Sequence, residues 1–416
     1  MMPTYEAGDV KLISLKLTNT NETAIVDIRS QCTALSIFED IEQPTLYAEF
    51  TIVDSLNLVK DFPIIGEETL EVSFITPGRE KATTYKFRIY AVDGTVNATN
   101  AKASSYTLKG VSSEHFINAI LQIDKGYNTT VAEIVKDILN NEIKTKKPLI
   151  IETTRGLIPM TVPRTNPFVA IDFLRQKAIA KRPSGGVFVF YENQYGFNFT
   201  TLETLIEDGK NNIKSKTFTY EPATNADASR SSYAFRNIQR YQHLTKFDTV
   251  DKMGGGLYKN TSRSFDITTK QFEEVAFELD QQAYKFETGE KKTKIPNTEK
   301  LISEAKQGAP FYMFAPKDSS KGNDYVADLL GYRTAFTKLF NQNITRLMVF
   351  GDNYLTVGDM VELNFPDTSG TTEKKLRDER YSGNYMVTKL RHIIYLEDKK
   401  FKHNIAMDCN KIGFNA

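Results

Sequence analysis

The side chains able to do chemistry are few and scattered. Four histidines, His115, His243, His392 and His403, show neither an HExxH helix nor any other short metal-ligand spacing. Of these, His392 and His403 are placed to approach each other across a hairpin, where a strand histidine reads as a surface or interface residue before it reads as a ligand. Cys32 and Cys409 are the only cysteines. They make neither a disulfide framework nor a CxxC site and lack the flanks of a thiol nucleophile, so buried structural thiols in a chain folded in the cytoplasm are expected. Gly254-Gly255-Gly256-Leu257-Tyr258-Lys259-Asn260 lacks the ending and the strand-to-helix setting of a phosphate loop, and reads as a turn. The carboxylate doublets Glu39-Asp40, Glu67-Glu68 and Glu273-Glu274 fall on predicted strands, where neighbours point to opposite faces and make no acid/base pair by themselves. Lys291-Lys292, Lys294 and Lys300, with Lys144, Lys146 and Lys147 elsewhere, read as solvated loops or contacts to an acidic partner. Without interleaved aromatics they offer no stacking platform for single-stranded nucleic acid. No residue is assigned a catalytic, cofactor-binding or metal-ligating role.

The elements that would hold these groups are mostly strands. The chain has 416 residues, more than one hydrophobic core usually supports. Its 27 Phe and 20 Tyr, with no Trp at all, favour sheets over bundles. Charges balance at 53 basic against 52 acidic, so no global field draws the chain to nucleic acid or to an anionic membrane. No run approaches the length of a membrane span, and Met1 to Leu17 lacks the apolar stretch of a signal peptide.

Residues 1-112 alternate in short bursts, among them Val10 to Leu17, Ala34 to Asp40, the period-two run Leu46 to Ser55, and strands between Leu70 and Val111. They are expected to close a first small β-barrel. Residues 113-214 change period: Thr130 to Glu133 has capping-box spacing, Asn166 with Pro167 opens a second helix, and two strands follow at Val187 to Tyr191 and Tyr195 to Thr200, an α+β domain. Residues 215-250 plus 346-416 are assigned to a second β-barrel, interrupted at 251-345 by an insertion. A strand is expected there around Ser264 to Ile267, and the insertion ends in a helix with Asp324 as N-cap. The fold class is therefore α+β, mainly β: two similar small antiparallel barrels with α+β insertions.

The two barrels look like copies. Gly66-Glu67 answers Gly358-Asp359, and Leu70-Glu71-Val72-Ser73-Phe74 answers Val361-Glu362-Leu363-Asn364-Phe365, with one residue slipped between them. In the later copy, strands at Gly383 to His392 and Phe401 to Cys409 flank a polar break at Leu396 to Lys400.

This layout, carried by Ala34 to Asp40, Ala48 to Ser55, Gly66 to Val72, Gly351 to Leu363 and Tyr381 to His392, resembles the baseplate hub of T-even-like contractile-tailed phages. It also resembles related tail proteins and the N-terminal regions of type VI secretion spikes. The resemblance implies a non-enzymatic homotrimer with pseudo-sixfold symmetry, fitting a sixfold tail tube to a threefold central spike and enclosing a channel. It implies as partners the tail tube or its initiator, the spike, other baseplate proteins and the tape-measure protein. DNA would only pass through, and no cofactor or membrane insertion is implied. The protein would act in the virion tail after assembly in the host cytoplasm. With Ala416 just past the second module, a puncturing or hydrolytic domain is expected on another polypeptide. The alternative is a tail-associated peptidoglycan hydrolase or peptidase with its site in 113-214 or 251-345; a carbohydrate-binding protein is disfavoured by the absence of Trp platforms.

Overall fold

The computed structural model describes residues 5–55, 58, 62, 64–97, 103–181, 186–209, 216–220, 234–244, 248–266, 268–279, 311–317, 324–367 and 377–411. Its first strands are β1 (Lys11–Thr18), β2 (Ile25–Asp27), β3 (Cys32–Asp40), β4 (Tyr47–Asp54), β5 (Thr69–Ile75), β6 (Thr83–Asn97) and β7 (Ser104–Val111). They form where apolar residues recur every second position. In β4 the buried set is Ala48, Phe50 and Ile52, and in β5 it is Leu70, Val72 and Phe74.

The next stretch carries α1 (Ser113–Ile120), β8 (Ile123–Thr129), α2 (Val131–Asp137), β9 (Leu149–Ile151), β10 (Thr154–Arg155), β11 (Ile158–Thr165), α3 (Pro167–Lys177), β12 (Ile179–Ala180), β13 (Phe188–Asn193), β14 (Gly196–Thr201) and α4 (Leu202–Gly209). Thr130 caps α2 through the Glu133 amide. Asn166 stands at the N-cap of α3 as expected, but its side chain donates to the carbonyls of Asn118 and Leu121, and it is Asn118 that accepts the Phe168 amide. Strands β13 and β14 are buried on both faces, which explains the apolar run Phe188 to Tyr191 in the first, while the polar residues of the second, Asn198, Thr200 and Thr201, are buried with it.

The remainder comprises β15 (Thr217–Thr219), β16 (Ile238–His243), α5 (Thr249–Gly254), β17 (Lys259–Asp266), β18 (Gln271–Glu278), β19 (Phe311–Lys317), α6 (Gly331–Phe340), β20 (Asn343–Phe350), β21 (Met360–Asn364), β22 (Gly383–Glu397) and β23 (Lys400–Lys411). Strands β17, β18 and β19 form a separate small sheet. The strand expected around Ser264 begins five residues earlier, at Lys259. The helix expected from Asp324 opens instead with a π-helical turn at Val326–Leu330 and becomes α-helical only at Gly331. Glu290 to Lys300, and with it the cluster Lys291, Lys292, Lys294 and Lys300, lies outside the described residues.

The hairpin β22–β23 is much longer than its apolar runs suggest. The polar break narrows to Asp398-Lys399, both with positive φ (47° and 65°), in a two-residue turn closed by the pair Glu397 and Lys400. That geometry matches the twist of the flanking strands and usually selects Asn-Gly. Here Asp-Lys adopts it, which hid the turn from a reading of the sequence.

The length matters because the hairpin serves two barrels. Its inner part pairs with β21 and β20. The outer part of β22, Lys389 to Tyr395, pairs with β3 and fuses both barrels into one 13-stranded sheet. Ile394 sits in the core with Leu15, Leu35, Phe50 and Phe74, whereas Leu390 belongs to the core with Phe218, Val349 and Tyr385. The strands of residues 1-112 therefore do not close a ring alone. Backbone bonds from Val10 to Phe401 and from His403 to Gly8 bring β23 against the start of β1.

Strand by strand, the two barrels follow one path. In the first the pairing runs β1·β5, β5·β6, β6·β7, β7·β4, β4·β3. In the second it runs β15·β21, β21·β22, β22·β23, β23·β20, β20·β16. One pair breaks the likeness, and the expectation of wholly antiparallel barrels: β15 runs parallel to β21 where β1 runs antiparallel to β5. Details also agree. The Ile89 amide bonds the Glu68 carbonyl as the Val387 amide bonds that of Asp359. This makes Glu68 the counterpart of Asp359 and puts the slipped residue in the turn after Gly66. Gly66 and Gly358 both have positive φ, 92° and 87°.

Candidate functional site: the junction between the barrels

Where β22 meets β3, a line of polar side chains runs through apolar surroundings. Glu39 on β3, Tyr85 on β6, His392 on β22 and His403 on β23 are all buried. The Tyr85 hydroxyl donates to Glu39 Oε1 (3.0 Å) and lies 3.4 Å from His392 Nε2; His392 Nδ1 lies 3.0 Å from His403 Nε2. The second oxygen of Glu39 accepts the Val357 amide (3.1 Å) and the Thr356 hydroxyl, from the loop between β20 and β21. Burial pushes the Glu39 carboxyl up to about 7 against the pull of these donors. It pushes His392 down to about 3 and His403 well below its usual value, so both rings are neutral at physiological pH. Phe74 packs edge-on against both imidazoles. His403 Nδ1 has no hydrogen-bond partner among the described residues.

The same loop carries a second lock. Asn353, wholly buried, accepts the Thr76 amide through Oδ1 (3.1 Å) and donates through Nδ2 to the Lys81 carbonyl (3.0 Å) and Thr83 Oγ1 (2.9 Å). Its own amide donates to Thr76 Oγ1, and its carbonyl accepts the Thr83 hydroxyl. Arg79 grips Asp352 with two nitrogens and lies over the Tyr354 ring. A loop of the second barrel is thus fastened to the β5–β6 turn of the first by side chain and backbone together.

The α+β part is anchored by charge. Lys147 Nζ donates to Glu114 (2.7 Å) and Glu192 (2.5 Å), and the other oxygen of Glu192 accepts the Leu46 amide at the start of β4. Lys147 therefore departs from the solvated-loop reading: its neighbours hold its ammonium charged although burial opposes it. At the other face, Glu203 accepts the amides of Gly186 and Val187 and the Tyr332 hydroxyl, and burial raises its carboxyl to about 7. Arg333 on α6 donates to the carbonyls of Gly186, Gln176 and Ala178, binding the insertion to the α+β part.

The remaining singled-out residues stand apart from one another. His115 contacts Thr45 Oγ1 (3.2 Å) and the edge of Tyr47; His243 stacks on Tyr381 and contacts Thr345 Oγ1 (3.0 Å). Cys32 and Cys409 are buried free thiols, Cys32 pushed up to about 12 and Cys409 also raised, by desolvation. The glycines 254–256 end helix α5, with Gly256 at φ 77°, ahead of a strand, the reverse of a phosphate loop's order. Among the described residues no group of three His, Cys, Asp or Glu could hold a metal, and no helix is long and apolar enough to cross a membrane. Sequence reasoning placed His392 near His403 and singled out Glu39 only as half of a doublet, without its partners; it missed the roles of Tyr85 and Asn353. Their only signal was a polar residue on the inward side of a strand or in a short loop.

These observations define a class: a mainly β protein of two like barrels fused through one long hairpin, with α+β insertions. Among solved structures this fold is that of phage tail proteins. The chain is similar to a tail protein from Neisseria meningitidis, with TM-score 0.55, 10% identity and 98% of each chain covered. It is similar to the 43 kDa tail protein of prophage MuSo2 from Shewanella oneidensis, with TM-score 0.52, 11% identity, and 95% of this chain and 97% of that one covered. A type VI secretion component of E. coli, itself described as similar to T4 bacteriophage tail proteins, matches at TM-score 0.46 and 7% identity over 98% of this chain and 79% of that one. No family model matches the chain, and no curated protein matches it.

Proposed function

We propose that the protein is the structural hub of a phage or phage-like tail baseplate. In this reading it is a homotrimer whose paired barrels, two per chain, make a ring of near-sixfold symmetry that joins a hexameric tail tube to a trimeric central spike and lines part of the channel. The division into a first barrel (1-112), an α+β domain (113-214), a second barrel (215-250 plus 346-416) and an insertion (251-345) belongs to the same proposal. The observation that carries it is the repeated strand path: two modules of one topology, joined by strand pairing between non-equivalent edges. A contact between non-equivalent edges propagates in one direction and closes a ring only when the rotation permits. The carboxyls whose protonation is shifted towards neutrality, Glu39 and Glu203, are taken up by hydrogen bonds that fasten parts of the chain together. The role proposed is therefore scaffolding and not hydrolysis, with tube, spike and tape-measure proteins as partners and the virion tail as location.

The test is the mass of the full chain with its tube and spike partners, followed by electron microscopy of the assembly. A three-chain ring with six similar lobes is expected. A stable monomer in that mixture would refute the proposal.

A further inference from the structure

The correspondence between the barrels extends to two bulges, although a third, between Asp93 and Val96 where β6 pairs β7, has no counterpart in β22. The bulge between Val387 and Lys389 where β22 pairs β23 has its counterpart between Ile89 and Ala91 where β6 pairs β7. The bulge between Cys32 and Ala34 on β3 has its counterpart between Ile238 and Arg240 on β16. Strand β6 is thus the equivalent of β22, and β16 the equivalent of β3. Both β6 and β22 are 15 residues long and outrun their own barrels. The overhang of β22, Lys389 to Tyr395, is used: it covers the outer edge of β3 within the same chain. The overhang of β6, Ala91 to Asn97, pairs only with β7 among the described residues. On the receiving side, β3 is paired on both edges, whereas β16 has β20 on one edge and, among the described residues, only the single bridge of Asn237 to Thr219 beyond it.

Side-chain exposure follows the same asymmetry. Thr388, in the bulge of β22, is buried at the junction and its carbonyl accepts the Ile41 amide; its counterpart Tyr90 is 45% exposed. Leu35 and Ile37 are closed off beneath β22, while Tyr241 and His243, at the matching positions of β16, are half-buried. Unpaired edges of this kind invite strand addition.

Resting on the proposed ring, we infer that the overhang Ala91–Asn97 of one copy adds antiparallel to the outer edge of β16 in a second copy of this chain, repeating between chains the seam that β22 and β3 form within one. The donor overhang and the receiving edge lie on different barrels of the chain, so each copy offers one and receives one, as a ring requires. The register follows from the internal seam: Arg391 opposite Phe38 maps to Asp93 opposite Leu244 of the next copy.

The test uses the full chain carrying Asp93→Cys and Leu244→Cys together, oxidised and run without reductant. Antiparallel neighbours sit within disulfide reach, and the two native thiols are buried. The double variant is expected to give covalent species of more than one chain, ending at three, while each single variant stays at one. Tyr90→Asp, at an exposed position that spares the fold, is expected to lower the mass in solution to one chain. If the double variant shows no covalent link although the protein is oligomeric, the seam is wrong and the ring stands. If the protein is a monomer throughout, both fall. A disulfide formed within one chain also overturns the seam.

Discussion

Replacing Glu39 with Gln should tilt the acid-to-neutral stability profile towards neutral pH by a calculable amount. Glu39 keeps its proton up to about pH 7 in the folded protein and loses it near 4.5 when unfolded. Between those values the folded state therefore binds more protons than the unfolded one. By linkage, stability falls as pH rises through that window and is constant above it. At about 1.4 kcal/mol per pH unit, the interval amounts to roughly 3 kcal/mol. The histidines act in the opposite sense. His392, whose folded value is about 3, leaves the unfolded state binding the extra proton below 6.5, so its contribution is lost as pH falls from 6.5 towards 3. Between about 4.5 and 6.5 the falling contribution of the carboxyl opposes the rising contributions of His392 and His403, and removing the carboxyl leaves that rise unopposed. Gln at position 39 retains a carbonyl for the Val357 and Thr356 donors and an amide for Tyr85, while removing the titration. Denaturant unfolding of both proteins from pH 4 to 8 should show the variant gaining on the wild type by roughly 3 kcal/mol between pH 4.5 and 7. Two profiles that run parallel over that range would refute the assignment of a buried, proton-retaining carboxyl to the barrel junction.

Asn353→Ala removes three side-chain hydrogen bonds and strands the buried Thr76 amide and the Lys81 carbonyl. A loss of roughly 3 kcal/mol or more is expected, read as a lower denaturation midpoint and faster amide exchange in the β5–β6 turn. Gly351→Ala would set a Cβ 2.0 Å from the buried His403 ring, with no room for the ring to move. It should cost about 3 kcal/mol or more, whereas Gly254→Ala, with nothing within 4 Å of the new carbon, should change the melting temperature little. Equal effects of these two substitutions would contradict the packing described.

Much of the architecture is legible in the residues alone, because strand burial is a local property. Alternation in Tyr47–Asp54 and Thr69–Ile75 names both the strands and their inward faces. The Gly-acid turns at Gly66 and Gly358 with the following Leu70 and Val361 reveal a repeated unit, and Thr130 with Glu133 marks a helix start. The apolar runs at Phe188 to Tyr191 and around Phe197 and Phe199 announce two strands. The α+β, mainly β class follows from such patterns without any knowledge of contacts.

What only the tertiary structure decided is which strands share a core and what the isolated polar residues are for. Ile394 and Leu390 are four residues apart on one strand yet pack into different barrels, because β22 outruns the second and completes the first. Nothing local to β22 distinguishes those two leucine-like positions. Glu39 and Tyr85 lie 46 residues apart and Glu39 and Thr356 lie 317 apart, so their meeting depends on chain closure over long separations. A single inward carboxylate carries no mark of the partners that will satisfy it. Lys147 looked like one member of a solvated cluster until the fold set Glu114 and Glu192 against it. Pattern determines local structure because neighbours along the chain are always present; long-range pairing determines the junctions because it alone brings the remaining partners together.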